Sequence, residues 1–423
     1  MLCMILVPNP QLRLSGSKVM RLFVLLVFLM TLQITSAHFI VTDIHLSGHE
    51  TYVINDSFFK SNDSLHKIQF RGREFLAPPH KKAFKIAVLL PFHTDFSNSP
   101  IDKKRANVML EYYQGMKMAI KYIDSLDSKF VISFHDTDND TNQLKSILAS
   151  KDIKVADIII GPTSKRQVEI ASNFCKKNRT PLFLPITNSV GSEHNPYVFD
   201  LNPPDALKAR EFLSYYKNHH SNKRLVIVRD RGYFDRTFGK ALLAECEQQQ
   251  IPIEIVPYST NTEWSKTLKG NTLVIHTTQD KIKLNYTVTG LQAHRDSVIL
   301  VGSDKLLDFN DVDYNQWEKL NITFLSENKS QVANPHSNQM KVAYRMDYRD
   351  DPSWFSYMGY DHLLFACEIL DAFGNYFPIF IEKKEIMYSN MNFSMKRTES
   401  TFQNQYLGIF KLVDGQLTIE NIK

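Results

Sequence analysis

The chain has 423 residues, 43% of them hydrophobic and 22% charged, with a formal net charge of +5. That length holds two medium-sized domains with substantial cores, and the composition is ordinary for a globular protein. The small positive balance is spread along the chain without an arginine-rich or aromatic-basic motif, which argues against nucleic acid as a partner.

Near the N-terminus, Met20-Arg21 precedes the apolar run Leu22–Met30 and the small residues of Ile34-Thr-Ser-Ala37. A basic start, an apolar middle and a cleavage point after Ala37 read as a signal peptide over residues 1–37, with 1–19 an upstream extension ahead of Met20. The apolar run is shorter than the roughly 20 residues of a membrane-spanning helix, so no stable span is expected after cleavage. Export places the chain in an oxidising compartment. Of four cysteines, Cys3 leaves with the signal, while Cys175, Cys246 and Cys367 remain. An odd number on helix-like apolar faces predicts buried free thiols.

Residues 38–83 are polar and irregular, and Ala77-Pro-Pro-His-Lys-Lys82 reads as a linker ahead of the main domain. A regular alternation then begins. Lys85–Pro91 is a buried strand, Met116, Ala119, Ile120 and Ile123 recur at helical spacing, and Phe130–Phe134 is the next strand. Asp157–Ile160, a turn at Gly161-Pro162, a helix and Pro181–Pro185 form a βαβ unit. Thr163 or Ser164 caps that helix, on which Val168, Ala171, Phe174 and Cys175 share a face. In open α/β sheets ligands bind at the carboxyl ends of the strands, which marks the hydroxyls after Gly161 and after Pro185.

Asn202-Pro-Pro-Asp205 interrupts the alternation as a crossover, with Asp205 capping a helix through Tyr216. The pattern restarts with a strand at Arg224–Val228 and a helix marked by Phe238, Ala241, Leu242 and Cys246. Ile251, Ile253 and Ile255 alternate as a strand, and further strands follow at Leu273–His276, Val298–Val301 and Ile322–Leu325. Residues 336–374 read as mostly helical. Asp414-Gly415 between Tyr406–Val413 and Leu417–Ile422 signals a hairpin. Two runs of βα units imply an α/β protein with two doubly wound, Rossmann-like lobes.

The order Lys85-Ile-Ala-Val-Leu-Leu-Pro-Phe92, Gly115-Met-Lys-Met-Ala-Ile120, Ile160-Gly-Pro-Thr-Ser164 and Pro181-Leu-Phe-Leu-Pro185 resembles type I periplasmic-binding proteins. The branch it resembles is the leucine/isoleucine/valine-binding-protein-like, extracellular ligand-binding receptor group. Tyr197-Val-Phe-Asp200 and Gly359-Tyr-Asp361, opening a long helix, add to the resemblance, which spans roughly residues 84 to 420. It implies two lobes joined by crossover strands that close like a hinge on a small ligand, typically an amino acid, delivered to a transporter or sensor. The first lobe would hold residues 84–201 and 327–375, the second 202–326 and 376–423.

Residue by residue, the resemblance places ligand contacts at Ser164, with Thr163 beside it, and at Thr187, Asn188 and Ser189. Hydroxyls and helix N-terminal amides there suit a carboxylate. From the second lobe, Tyr233 matches an aromatic wall and Asp304 a partner for an ammonium group. Each has a plainer reading: Ser164 as a helix cap, Thr187–Ser189 as a solvated loop, Tyr233 as packing and Asp304 as a turn residue. Lys165 and Arg166 depart from the family's small polar residues and oppose the helix dipole. They either face solvent or accept an anion. Asp230-Arg-Gly-Tyr-Phe-Asp-Arg-Thr-Phe-Gly239 is also crowded with charge and bulk, which speaks against a standard amino-acid pocket.

His135-Asp-Thr-Asp-Asn-Asp140 alternates carboxylates, but Thr141 and Ile147 stand where a calcium loop needs Gly and Glu, so it reads as a polar loop. No Walker loop, nucleophile elbow or His-Glu-x-x-His helix occurs, and no metal or cofactor is expected. Asn-x-Ser/Thr sequons at Asn55, Asn62, Asn285, Asn321 and Asn392 are at the level of chance for this composition. The expected function is that of an exported, periplasmic, non-enzymatic solute-binding protein for a small polar, amino-acid-like or anionic ligand, with an ABC transporter permease as partner. The alternative is a ligand-free interaction protein on the same fold, acting on a cell-envelope partner in peptidoglycan chemistry.

Overall fold

Runs of Val, Ile and Leu without polar alternation cannot face water, and here they become strands covered on both sides. The computed structural model describes residues 51–53, 66–70, 73–77, 81–92, 100–186, 195–309, 312–326, 335–383, 386–387, 391–398 and 401–420. The signal-peptide reading of residues 1–37 lies outside them. The chain divides into two compact units, residues 1–79 and 80–423. In the first, β1 (Thr51–Val53), β2 (His66–Phe70) and β3 (Arg73–Ala77) form a sheet in the order β1-β3-β2.

The second unit opens with β4 (Ala83–Leu90), α1 (Pro100–Ile123), β5 (Lys129–Asp136), α2 (Thr141–Ala149), β6 (Ile158–Ile160), α3 (Lys165–Asn178), β7 (Leu182–Leu184) and β8 (Val198–Asp200). After residues 201–204 cross over, α4 (Asp205–His219), β9 (Arg224–Arg229), α5 (Lys240–Gln248), β10 (Ile253–Pro257), β11 (Thr272–His276), α6 (Lys281–Leu291), β12 (Val298–Ser303) and β13 (Thr323–Ser326) follow. The chain continues through α7 (Pro335–Tyr348) and α8 (Trp354–Phe373). It ends with β14 (Ile386–Met387), β15 (Asn392–Phe393), β16 (Met395–Arg397), β17 (Phe402–Asn404), β18 (Gly408–Val413) and β19 (Gln416–Glu420).

Two seven-stranded sheets result, ordered β16-β17-β8-β7-β6-β4-β5 and β10-β9-β11-β12-β13-β18-β19. Strands β4–β8 and β9–β13 pair in parallel, as βα connections require, while β16, β18 and β19 are antiparallel. This is the expected two-lobed α/β architecture. The tail, assigned by sequence wholly to the second lobe, is divided by its pairing. Phe402 and Gln403 of β17 pair with Phe199 and Asp200 of β8 in the first sheet, and only β18 and β19 join the second.

Three smaller expectations are corrected. Asp205 does not cap α4: Pro204 holds that position and Asp205 is the first helical residue. Ile251 precedes its strand, because Gln250 takes a left-handed φ of 55° that ends α5 and Ile251 N–H closes onto Cys246. Gly359 lies inside α8 rather than at its start, which Ser353 caps by accepting the Ser356 N–H.

Each sheet is packed on both faces. In the first, Val168, Ala171 and Cys175 of α3 and Leu144 and Leu148 of α2 cover Ala87, Leu89, Ile159, Leu182 and Leu184. The alternate residues point the other way, where Phe183 meets Phe365 of α8 and Phe199 stacks on Phe402 at 4.5 Å. In the second, α4 and α5 cover one face through Phe212, Leu213, Leu242 and Cys246. Leu284, Val288 and Trp317 cover the other. Cys175, Cys246 and Cys367 are buried free thiols, as expected.

Two contacts govern the first lobe. Gly161 has φ of +87°, and a Cβ there would lie 2.2 Å from the Leu89 carbonyl oxygen, so only glycine fits the turn after β6. Helices α1 and α8 cross through a reciprocal pair of glycines. A Cβ on Gly115 would lie 1.8 Å from the Ser356 carbonyl oxygen, and one on Gly359 would lie 1.9 Å from that of Tyr112. Flanking polar links fix the crossing: Ser353 Oγ donates to Glu111 at 2.7 Å, and Tyr112 and His362 share a buried hydrogen bond of 2.9 Å. Gly359→Ala should therefore cost at least the roughly 1–3 kcal/mol typical of overpacking. Thermal unfolding should show a fall of several degrees relative to the unaltered chain.

Candidate functional site

A cleft of about 310 Å³ lies between the lobes. The second lobe supplies residues from three strand ends: Tyr233, Phe234, Thr237 and Phe238 after β9, Gln279 after β11, and Ser303 at the end of β12 with Asp304 and Lys305 after it. Because β9 is flanked by β10 on one side and β11 on the other, the strand order reverses there, and a crevice opens at the carboxyl ends of the parallel strands. The first lobe supplies Ile186 after β7, and Trp354, Phe355 and Met358 from the first turns of α8. The crossovers supply the base through Asn202, Pro203, Ser326 and Leu407.

The polar groups of this cleft are held in place. Asp304 accepts a short hydrogen bond from Ser326 Oγ and a 3.3 Å bond from Ser303 Oγ, whose oxygen also accepts the Lys305 N–H at 3.2 Å. Lys208 lies 3.6 Å from Asp205. Asn202 donates a short bond to the Pro185 carbonyl, while its own side-chain oxygen is buried and receives no hydrogen bond. Lys305 reaches across to the first lobe, its ammonium 4.8 Å from the centre of the Trp354 ring. Such a cation–π contact is worth about 0.5–2 kcal/mol, depending on desolvation.

Tyr233 and Asp304, expected from the sequence, do meet in this cleft. Tyr233 is 70% exposed, so its ring is available as a wall and is not packing. Asp304 is also a turn residue. Thr163 and Ser164 do not line the cleft. They lead into α3, which covers the face of the first sheet opposite α8, and the first-lobe wall comes from the α8 side. Ser164 stands at the cap position of α3 without a side-chain hydrogen bond. Lys165 and Arg166 are exposed to solvent. Thr187, Asn188 and Ser189 lie outside the described residues. Sequence reasoning missed Asn202, Lys208, Lys305, Trp354, Phe355 and Met358. For the last three, the signal was the Ser353 cap ahead of an aromatic pair.

Buried polar groups stiffen the strand ends of the second lobe. His276 accepts the Thr278 N–H on Nδ1 at 3.1 Å, which leaves Nε2 protonated and donating to Thr287 Oγ at 2.7 Å. Burial lowers its pKa to about 4, with the Lys283 charge acting the same way and Asp230 opposing. Asp230 itself is held below the usual carboxylate range. Burial works to raise it, but the Gly232 N–H, Thr278 and Lys283 together outweigh that. In the loop read as polar by sequence, Asp140 caps α2 and Asp136 accepts the Phe92 N–H at 2.9 Å. Buried Gln167, another residue sequence missed, donates to the Asp140 carbonyl at 3.0 Å. Among the described residues, no cluster of His, Cys, Asp or Glu has the arrangement of a metal site.

The profile of the family described as "Receptor family ligand binding region" matches residues 112–281. No curated protein matches the sequence. A structure attributed to a branched-chain amino acid ABC transporter of Rhodospirillum rubrum superposes with a TM-score of 0.60 at 11% identity, covering 80% of this chain and 100% of that one. An ABC transporter substrate-binding protein of Desulfitobacterium hafniense gives 0.52 at 13% identity, covering 80% and 100%. A branched-chain amino acid periplasmic ligand-binding protein of Burkholderia xenovorans gives 0.51 at 10%, covering 80% and 94%. The likeness is one of fold: this chain has the two-lobed architecture of the type I periplasmic-binding proteins.

The buried histidines set a pH dependence. His276 and His220 both have pKa values lowered to about 4 from 6.5, chiefly by burial. Below pH 6.5 the unfolded chain takes up protons that the fold refuses, so stability is full above that value and falls as pH drops toward 4. Melting temperatures measured across this range should decline for the unaltered chain, and the decline should be shallower in His276→Gln.

Proposed function

We propose that the chain is an exported, non-enzymatic solute-binding protein that captures one small molecule between its lobes and presents it to a membrane partner of the ABC permease kind. The observation that carries this reading is the cleft itself. Aromatic walls from both lobes face each other across fixed polar groups, at the strand ends where a doubly wound sheet opens. At about 310 Å³ it sits at the low end of small-molecule sites, which suits a solute of amino-acid size and excludes a long polymer chain. Structural neighbours are substrate-binding proteins, one of them solved in complex with Leu. Among the described residues no helix is long and apolar enough to cross a membrane.

Of the residues expected from the sequence, Tyr233 and Asp304 belong to the proposed site. Thr187, Asn188 and Ser189 are proposed from their place in the chain after Ile186, a cleft residue. Thr163 and Ser164 are kept as secondary candidates. Lobe closure would follow from differential affinity, since a solute touching both walls binds the closed form better than the open one.

A thermal-shift screen of the chain with amino acids, small carboxylates, peptides and cell-wall fragments tests this reading. The expected result is a saturable rise with one class of small solute. Trp354→Ala should weaken that binding by about tenfold or more, equivalent to roughly 1.4 kcal/mol. No response to any small solute, with a cell-envelope protein co-purifying, would favour the interaction-protein reading instead.

A further inference from the structure

Among the described residues, the charged side chains that line the cleft are two carboxylates, Asp205 and Asp304, and two ammonium groups, Lys208 and Lys305. Their charges balance. Each is also engaged within the protein. Lys208 lies 3.6 Å from Asp205, one turn away on α4. Asp304 accepts hydrogen bonds from the hydroxyls of Ser326 and Ser303. The Lys305 ammonium rests 4.8 Å from the centre of the Trp354 ring. None of the four is without a partner.

The apolar surface of the cleft is in the opposite state, built but uncovered. Tyr233 is largely exposed, and Phe234, Trp354 and Phe355 are each half-buried. These rings are held where they are. Phe234 stacks on buried Phe238 with centroids 4.8 Å apart and planes within 8°. Trp354 and Phe355 sit in the first turn of α8, directly after the Ser353 cap.

An ion that enters the cleft gives up water, and closure of the lobes deepens that loss. The cost is recovered only where a counter-charge or a set of donors is waiting for it. Here the counter-charges are already in use, and their balance favours neither sign. An uncharged solute carries no such cost. Covering the rings then supplies the favourable term, which grows with the apolar area removed from water.

We propose that the cleft selects an uncharged solute whose body is an aromatic ring, covered by Tyr233 and Phe234 from one lobe and by Trp354 and Phe355 from the other. This rests on the solute-binding reading and deepens it by naming the solute class. It also departs from the anionic or amino-acid-like ligand expected from the sequence.

The test is calorimetry on the full chain at pH 7 with four ring-bearing probes: neutral phenylacetamide, anionic phenylacetate, cationic phenethylamine and zwitterionic phenylalanine. Phenylacetamide should bind at least about tenfold more tightly than each of the others, and acetamide, which lacks the ring, should not bind measurably. Asp205→Asn leaves the cleft with one positive charge in excess, so the ratio of amide to acid affinity should fall about threefold or more. Lys208→Gln leaves one negative charge in excess and should narrow the ratio of amide to amine in the same way. Each variant carries the test if the other folds poorly. Equal or tighter binding of any charged probe by the unaltered chain would overturn the proposal, as would ratios unmoved by the substitutions. If none of the four probes binds, the solute that stabilises the chain in the thermal-shift screen decides. A charged or zwitterionic one overturns this inference and leaves solute binding standing, and an uncharged aromatic one upholds both. If no small solute binds at all, both fall.

Discussion

The crossing of α1 and α8 is the constraint on which the site depends. Two backbones approach until the carbonyl of one helix occupies the space of a side chain on the other, at Gly115 and again at Gly359. This close approach seats the first turns of α8 against the lobe, and those turns carry Trp354, Phe355 and Met358 to the cleft. A wider crossing would shift the first-lobe wall and, with it, the surface that Lys305 meets. The aromatic packing of Phe183 and Phe365 beneath α8 gives the same placement a second anchor.

The lobes are tied where the chain passes between them, and one buried amide does much of the tying. Asn404 donates to the carbonyls of Leu201 and Asn392 at 3.0 and 2.9 Å, and accepts from the N–H groups of Ser394 and Tyr406 at 2.9 and 3.1 Å. Both its donors and its acceptor oxygen are used, so a buried polar group that would otherwise be costly becomes a fixed joint between two crossovers. Rigid joints at the base of the cleft leave rotation of whole lobes as the motion by which a solute could be enclosed.

Much of this fold was legible in the sequence, because continuous apolar runs such as Ile158–Ile160 and Leu273–Ile275 have no stable place except a covered sheet. The Asp414-Gly415 hairpin was equally plain. The division of the tail was not, since β16 and β17 are only three residues each, and the pairing of β17 with β8 goes with the packing of Phe402 on Phe199. Of the candidate cleft, only Tyr233 and Asp304 were anticipated, because both follow strand ends, where open sheets place ligands. The α8 wall was hidden because a helix start becomes a site wall only through a contact between glycines far apart in the chain. Thr163 and Ser164 satisfied the strand-end rule, but their helix covers the other face of the sheet.

The central claim is that these two lobes close on a small solute, and a distance between them tests it most directly. Val131 in the first lobe and Ile255 in the second are 59% and 52% exposed, so cysteines placed there in a Cys3→Ser chain can carry spin labels while the buried thiols of Cys175, Cys246 and Cys367 stay unlabelled. Electron–electron double resonance on the doubly labelled chain should show the interlobe distance shortening and its distribution narrowing as a bound solute saturates the cleft. An unchanged distribution at a concentration where calorimetry shows full occupancy would contradict the account.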